Sequence, residues 1–498
     1  MQSKNRTVSR RGFLATAAAA CAAGTTFGPG RKARALADDS QGKAARLRAG
    51  AATRDVTPKP GVVLDGPIMQ IGPVEAVHDR LNTRALVLDD GSERLAICTA
   101  DCTMASRDVF DRAKQLVHEK TGLAADRMLF AGTHSHSAVR ATGIGQGPLD
   151  KEYLELLAQG IAKAVCRAID NLAPARIGWG VGQKPELVHN RRWLMKPGTI
   201  PPNPFGQEGE KVKMNPGRGS PDLVEPAGPV DPEVSVVSVQ HADGRPLGVL
   251  ANFGIHYCGG TKRREVSADY FGVFANRIGE LLGAGDVDPP FVGILSNGTS
   301  GDISNGFDFR KPAPKKAPYQ WMQEVGELVA DEALRVIRGI EHRDDVSLAM
   351  RQTELELATR RPDEARLAWA REVWSKAEGK PRLSLPEIYA REAILLADFP
   401  PTVSLPLQAL RIGELGIAAI PCEVFAETGL AIKQSSPLKP TFVIEIANAY
   451  HGYLPTPPQH AWGGYETWPA RSSCLQIEAE PRIRETVLGL LDGVSRPT

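Results

Sequence analysis

The sequence predicts an α/β protein built around a mixed β-sheet. Its 498 residues are 42% apolar and 24% charged, a globular composition that excludes collagen-like, coiled-coil and mainly disordered chains. Short apolar strands, several of them paired in hairpins, alternate with segments of helical periodicity. The strands end in loops rich in polar side chains, and in α/β proteins such strand ends mark a functional site. The length admits one large domain with a smaller annex, or two to three domains.

Residues 1–37 are predicted to be an export signal. Arg10-Arg11 precedes Phe13-Leu14 and an apolar run too short to span a bilayer. This arrangement resembles a twin-arginine signal, so we expect the twin-arginine translocation machinery as a partner. An ordinary Sec signal is the alternative. Cleavage near Ala37 would leave a periplasmic or secreted protein, with a polar tether over 38–48 and a folded domain over 49–498.

Charge and cysteine content narrow the function classes further. Seven of the 60 basic side chains and none of the 58 acidic ones lie in residues 1–37, so the remaining chain has a net charge of −5. No long basic run remains, and we expect no nucleic-acid partner. The seven cysteines form no CxxC pair, which leaves buried free thiols or one or two disulfides.

The first predicted elements are a hairpin, a helix, a buried strand and a second helix. Two apolar runs around Asp89-Asp90-Gly91 predict a hairpin over 84–100. Helical periodicity over 107–120 ends at a glycine, a common helix terminator. Residues 127–132 are apolar and short enough for a buried strand, and 152–171 again have helical periodicity.

The middle of the chain contains a long segment without regular periodicity. Residues 194–231 are rich in proline, glycine and charge and are predicted to be a loop or lid. A hairpin over 234–253 and a buried strand over 291–295 follow, then a helix over 321–338.

The last third continues the alternation of strands and helices. The predicted elements are a strand over 347–358, helices over 361–377 and 386–396, a hairpin over 405–420, a helix opened by 421–423, a strand over 441–447 and a helix over 478–491. Residues 346–498 form a candidate subdomain that contributes side chains to the site.

Candidate metal ligands follow several of these strands. His134 and His136 come directly off an apolar strand, and in an extended segment residues two apart face the same side. Both could bind one metal, or one could bind it while the other handles protons. His256 ends an apolar run and Glu423 follows a buried strand. Each alone fits a structural role, but together they supply a plausible catalytic zinc shell.

Eight short motifs occur along the chain. They are 52–58 (ATRDVTP), 131–137 (AGTHSHS), 190–191 (NR), 252–256 (NFGIH), 301–305 (GDISN), 421–423 (PCE), 448–453 (NAYHGY) and 465–466 (YE). In this order they resemble the neutral ceramidase family, whose members are zinc-dependent amidases that cleave the N-acyl bond of ceramide. The resemblance covers about residues 50–470.

The resemblance implies a role for each candidate residue. It implies Zn²⁺ as cofactor, bound by His134, His256, Glu423 and Tyr453. His136 would handle protons near the zinc-bound water, Arg191 and Tyr465 would stabilise the oxyanion, and Ser304 would contact substrate or water. These roles agree with what amide hydrolysis needs: an activated nucleophile, stabilisation of the carbonyl oxygen and a proton for the leaving amine.

The sequence also departs from the family pattern. Residues 138–141 read Ala-Val-Arg-Ala where the family usually has Gly-Pro-Gly-Gly, and Asn305 follows Ser304 without an intervening proline. The chain leaves no room for the family's C-terminal immunoglobulin-like domain, so we expect a single large catalytic domain.

The leading prediction is an exported zinc hydrolase of an N-acyl amide, with ceramide or another lipid or small molecule as substrate and peripheral membrane contact. One alternative is a zinc esterase or deacetylase that acts on a smaller substrate. A second is a non-catalytic binding protein on the same scaffold.

Overall fold

Two β-sheets stacked face to face form the centre of the fold. The computed structural model describes residues 47–64, 72–145, 149–312 and 314–496. The predicted export signal and all of the predicted tether except Leu47 and Arg48 lie outside these residues. The described residues all belong to one compact unit, which includes the segment from residue 346 onward.

The described residues form 21 strands and nine α-helices. The strands are β1 (Arg48–Asp55), β2 (Val63–Leu64), β3 (Gly72–Pro73), β4 (Ala76–Val77), β5 (Asn82–Asp89), β6 (Arg94–Ala100), β7 (Met128–Gly132), β8 (Ala173–Gln183), β9 (Arg192–Met195), β10 (Val212–Met214), β11 (Leu223–Pro226), β12 (Glu233–His241), β13 (Pro246–Phe253), β14 (Glu265–Val266), β15 (Val292–Asn297), β16 (Leu348–Ala358), β17 (Thr402–Ile412), β18 (Leu415–Ala419), β19 (Glu423–Val424), β20 (Thr441–Ile444) and β21 (Tyr453–Leu454). The helices are α1 (Arg107–Thr121), α2 (Lys151–Asp170), α3 (Asp269–Leu281), α4 (Gln320–Ile337), α5 (Glu364–Ser375), α6 (Leu385–Ala397), α7 (Ala426–Ser435), α8 (Pro457–Trp462) and α9 (Ala479–Ser495).

Both main sheets are mixed. The larger has eight strands in the order β15-β13-β12-β8-β1-β5-β6-β7, and the smaller has four in the order β16-β17-β18-β20. Hairpin neighbours pair antiparallel, whereas β6 with β7, β13 with β15 and β18 with β20 pair parallel. The predicted α/β class with a mixed sheet is therefore confirmed.

Alternating side chains divide the core into layers. Along β5, Ala85 and Val87 pack with α1 and α2, whereas Leu86 and Leu88 point to the other side of the sheet. There they meet Leu410 and Ile417 of the smaller sheet. Helices α3 and α4 pack beside β12, β13 and β15, and α9 packs on the outer face of the smaller sheet. The result is a helix–sheet–sheet–helix arrangement.

Three local predictions are wrong. The segment 194–231 is not loop throughout, since half of β9 and all of β10 and β11 lie in it and form a three-stranded sheet. Glu423 does not open a helix: it lies in β19, which pairs with β21, and α7 begins at Ala426. The strand predicted over 441–447 stops at Ile444, because Ile446 and Asn448 adopt positive φ angles of 46° and 63°, which strands do not accommodate.

No described helix has both the length and the apolarity needed to cross a membrane. All six described cysteines are buried, and no two of them form a disulfide.

Candidate metal centre

The candidate site residues follow the carboxyl ends of parallel strands from both sheets. His134 follows β7, His256 follows β13 and the loop of Asp302 follows β15 in the larger sheet. Glu423 follows β18 and Glu445 follows β20 in the smaller one. Since the two sheets stack, these strand ends meet at one end of the sandwich, as expected for a site in this class of fold.

Three imidazoles converge on one point, and one carboxylate approaches the first of them. The Nε2 atom of His134 lies 3.2 Å from Nε2 of His256 and 3.2 Å from Nε2 of His136. It lies 3.5 Å from Oε2 of Glu423. The ligand atoms of the three histidines all lie within 4.8 Å of one another. Tetrahedral ligands at zinc distances of about 2.0–2.1 Å are separated by about 3.3 Å, so this spacing suits one small cation.

The hydrogen bonds of two histidines leave their Nε2 lone pairs facing the centre. Nδ1 of His134 lies 2.9 Å from the carbonyl oxygen of Thr103, and Nδ1 of His256 lies 3.2 Å from that of Ser300. A carbonyl oxygen only accepts, so we assign the imidazole proton to Nδ1 in both rings. Two lone pairs 3.2 Å apart repel each other unless a cation lies between them.

An unpartnered carboxylate oxygen supports the same conclusion. Glu423 is buried, and its Oε2 atom has no hydrogen-bond partner among the described residues, whereas Oε1 accepts from the Tyr450 hydroxyl at 2.5 Å. A buried carboxylate oxygen without a partner is costly. The donor set of imidazole nitrogen and carboxylate oxygen fits Zn²⁺.

The protonation states of His136, His256 and Glu423 suit metal binding, whereas His134 holds a proton more tightly than a free histidine. Burial lowers the pKa of His136 and of His256 well below the usual range, so both are neutral at pH 7. Burial also acts on His134, but the adjacent Glu423 carboxylate outweighs it and raises that pKa. Burial opposes ionisation of Glu423, yet His134 and Tyr450 lower its pKa overall. Neutral imidazole and ionised carboxylate are the forms that bind metals.

The backbone at His134 differs from the expected extended conformation. Its φ angle is 70°, in the left-handed region that non-glycine residues rarely adopt. The rings of His134 and His136 are nearly perpendicular, at 89°, so the two side chains do not lie parallel on one face. Their Nε2 atoms nevertheless meet. Such strain at a site must be supported by the surrounding structure.

Arg191 reaches the same centre from a different segment. Its Nη1 atom lies 3.1 Å from Nε2 of His256, and its Nε donates to Oε1 of Glu466 at 2.8 Å. The other oxygen of Glu466 accepts from Nη1 of Arg192 at 2.6 Å. Burial disfavours the charged form of Arg191. The oxygen atoms of Tyr453, Glu466 and Glu423 favour it more strongly, and the pKa of Arg191 is therefore raised. The centre therefore has a permanent, oriented positive charge.

Two tyrosines line the side of the centre next to Arg191. Tyr453 pairs with Glu423 across β19 and β21, and the Arg191 guanidinium carbon lies 5.3 Å from the centroid of its ring. The ring of Tyr465 lies 5.7 Å from that of Tyr453. Burial raises the pKa of both phenols, so both are neutral hydrogen-bond donors.

Ser304 borders the centre without joining the cluster. It is buried, and its backbone N–H donates to the carbonyl of His189, close to Arg191 in the chain. Its hydroxyl donates to the carbonyl of Phe307 at 3.1 Å and makes no hydrogen bond to the described histidines. The structure thus brings seven of the eight predicted site residues into one cluster, with Ser304 at its edge.

Sequence reasoning missed one buried acid, Glu445. Its Oε1 accepts from Ser300 Oγ at 2.6 Å and from Asn297 Nδ2 at 3.0 Å. Its Oε2 accepts from the backbone N–H groups of Val424 at 2.7 Å and Ser300 at 3.2 Å. Glu445 therefore links the segment that orients His256 to the segment that carries Glu423. A single acid within the apolar run 442–446 was the available signal.

Comparison with known proteins identifies the family. The sequence profile described as neutral/alkaline non-lysosomal ceramidase, N-terminal, matches residues 48–309. The fold is similar to a crystal structure of neutral ceramidase from Pseudomonas aeruginosa, with a TM-score of 0.65, 17% identity, and coverage of 91% of this chain and 76% of that one. It is also similar to a structure described as ceramidase complexed with C2, with a TM-score of 0.64, 18% identity, and coverage of 90% and 75%.

The profile match spans more than half of the chain. It includes His134, His136, Arg191, His256 and Ser304, whereas Glu423, Tyr453 and Tyr465 lie beyond it and reach the cluster through the fold. The chain therefore belongs to the neutral/alkaline non-lysosomal ceramidase family, which makes it a hydrolase that acts on amide bonds.

Proposed function

We propose that this protein is a zinc-dependent hydrolase that cleaves the N-acyl amide bond of ceramide or a closely related N-acyl lipid. The observation that carries the proposal is the convergence of three imidazole nitrogens, one of which lies 3.5 Å from the unpartnered oxygen of Glu423. Family membership supports the amide as the bond cleaved. The similarity to a ceramidase complexed with C2 supports a lipid substrate.

In this proposal His134, His256, Glu423 and Tyr453 hold the zinc. Bound zinc supplies a hydroxide nucleophile near neutral pH, because it lowers the pKa of its water to about 7. His136 lies as close to His134 as His256 does, so its imidazole is near enough to take part as a ligand or in proton transfer. We assign it proton transfer, since it is neutral at pH 7 and less buried than the other two histidines.

Arg191 and Tyr465 stabilise the developing oxyanion. Arg191 is held by Glu466, so its charge is oriented before the substrate binds, and oriented donors of this kind contribute about 10²–10³ in rate. Tyr465 is a neutral phenol and can donate its proton in a hydrogen bond. His136 accepts a proton during attack and returns it to the leaving amine. Ser304 contacts substrate or water at the edge of the centre.

We further propose that residues 1–37 direct export through the twin-arginine route and are removed near Ala37. The mature protein would be periplasmic or secreted. There it would meet a lipid substrate by peripheral contact with a membrane surface.

The test is hydrolysis of a fluorescent N-acylsphingosine by the wild type and by His256→Ala, with His118→Gln as control. His118 is exposed on α1, and among the described residues its side chain hydrogen-bonds to the carbonyl of Leu123 alone. The proposal predicts turnover in the wild type and in His118→Gln, and a loss of at least about 10²-fold in His256→Ala. No turnover by wild type loaded with zinc would reject ceramide as the substrate. If all three proteins hydrolyse the substrate equally well, His256 is not needed for hydrolysis, and the role proposed for the metal centre is wrong.

A further inference from the structure

A cavity lies apart from the candidate metal centre. It has a volume of about 170 Å³ and lies between the start of α5, helix α6 and Phe205 of the segment 194–231. Leu396 and Pro469 form part of its apolar wall, and Arg360, Arg361 and Arg366 also line it. No candidate metal ligand contributes to the lining.

The three arginines carry positive charge that no carboxylate neutralises at contact distance. Arg360 donates to the backbone carbonyls of Thr467 at 2.9 Å and Ser473 at 2.6 Å. Arg361 donates to the carbonyl of Ala397. Within the described part of the chain, none of these guanidinium groups forms an ion pair. This distinguishes them from nearby Arg391 and Arg471, which both pair with Glu392.

The guanidinium group of Arg366 packs on an aromatic ring and forms no ion pair with an acidic side chain of the described residues. Its guanidinium carbon lies 3.7 Å from the centroid of Phe205, which positions the charge at the cavity. The acid that also lines the cavity, Asp363, caps α5 by accepting the backbone N–H of Arg366 at 2.7 Å. Burial lowers the pKa of Arg366, and it lowers the pKa of Arg360 to about 10. Both cations are therefore partly desolvated, and the nearby Asp363 compensates the charge of Arg366 only in part.

An aromatic wall connects the cavity with the candidate metal centre. Phe205 contacts Tyr389 with ring centroids 5.6 Å apart, and Tyr389 contacts Trp468 at 5.3 Å. Trp468 in turn lies 6.2 Å from Tyr465. The cavity is thus a separate site that shares packed side chains with the centre.

We propose that this cavity binds an amphiphilic anion, meaning a carboxylate or phosphate group attached to an apolar chain. Desolvated guanidinium groups are strong donors to such oxygens, and the apolar wall accommodates the chain. This inference concerns binding alone and does not depend on the proposed hydrolysis.

The test is calorimetric titration of the full chain with octanoate, with octanol as the neutral probe and inorganic phosphate as the probe without a chain. The variants are Arg366→Gln and the double variant Arg360→Gln/Arg366→Gln. Arg366 makes no side-chain hydrogen bond among the described residues, so its single variant should fold even if the double variant does not. Arg54→Gln, exposed on β1, is the matched control.

The proposal predicts that octanoate binds at least about tenfold more tightly than octanol or phosphate, and that Arg366→Gln and the double variant each lose about tenfold or more. Arg54→Gln should bind like the wild type. If octanol binds as tightly as octanoate, the site is an apolar cleft that does not recognise the anion, and the proposal is overturned. Octanoate binding that survives in both cavity variants but disappears in His256→Ala would assign the ligand to the metal centre and also overturn it.

Discussion

At the scale of single residues, the centre depends on which hydrogen-bond partner each polar atom has. His134 and His256 each donate one ring N–H to a backbone carbonyl, which directs the other nitrogen inward. Carbonyl acceptors of this kind fix the orientation of metal-binding histidines in many sites. Oε2 of Glu423 and Nη2 of Arg191 are left without a hydrogen-bond partner among the described residues. These atoms make the cluster a candidate metal site.

Asp302 gives a pH-dependent prediction. It is buried and accepts from the N–H of Ala426 and the side chain of Asn190. Burial raises its pKa to about 6, whereas an unfolded aspartate titrates near 4. Between these values the folded state keeps a proton that the unfolded state has lost, so stability falls as pH rises. The difference in unfolding free energy between wild type and Asp302→Asn should decrease by about 2 kcal/mol from pH 4 to pH 6.

Urea titrations of both proteins across this range would measure that difference. If it stays constant with pH, Asp302 does not titrate as described.

Glu445 gives a second prediction at this scale. Burial raises its pKa to about 8 even though hydrogen bonds oppose the shift, so a neutral side chain is tolerated here. Glu445→Gln keeps an oxygen for the N–H groups of Ser300 and Val424 and should bind metal within a fewfold of wild type. Glu445→Ala leaves these donors buried and unpaired, and should lose about 3 kcal/mol of stability and about tenfold in metal affinity.

Chelator competition and urea denaturation would measure the two effects. Equal metal affinity in the alanine and glutamine variants would show that Glu445 does not support the centre.

At the scale of secondary structure, parallel strand ends bring distant segments together. The sequence was sufficient to predict most strands and helices, since apolar runs and turn signals are local properties. It also identified His134, His256 and Glu423 as residues that follow strands. It could not predict β9, β10 and β11, because their pairing depends on side chains that carry no clear period. It also missed the short pairing of β19 with β21, which brings Glu423 opposite Tyr453.

Gly301 shows how tightly two of these ends approach. A Cβ atom at this position would lie 2.5 Å from the carbonyl oxygen of Glu423, so one backbone must move. Gly301→Ala should lower stability by about 2 kcal/mol and reduce turnover, because β19 carries Glu423, a proposed metal ligand. Gly489→Ala, with nothing within 4 Å of the added carbon, is the control and should be neutral or slightly stabilising in α9. The midpoint of thermal denaturation and the metal affinity should both be lower in Gly301→Ala than in Gly489→Ala. Equal values in the two variants would show that the close contact between Gly301 and Glu423 does not matter.

At the scale of the whole molecule, the centre joins two distant parts of the chain. The histidines and Arg191 come from residues 134–256, whereas Glu423, Tyr453, Tyr465 and Glu445 come from residues 423–465. A sequence reading can list these residues apart from Glu445, but only the stacking of the two sheets shows that they share one point. A metal bound there holds both sheets, so its binding energy adds to folding stability.

Removal of the metal should therefore destabilise the entire fold. With free zinc at about a thousand times its dissociation constant, binding contributes about 4 kcal/mol to unfolding. Chelator treatment should lower the midpoint of thermal unfolding, and added zinc should restore it. His256→Ala should unfold at the same temperature with and without chelator. A wild-type midpoint that does not respond to chelator would argue against metal in the folded protein.

The most direct test of the central claim is the metal content of the purified protein, together with X-ray absorption at the zinc edge. The account predicts about one zinc per chain, bound only by nitrogen and oxygen atoms at about 2.0–2.2 Å, and its loss in Glu423→Gln but not in Glu356→Gln, an exposed acid on β16. A protein that holds no zinc even after zinc is added back, or that holds it through sulfur, would contradict the account.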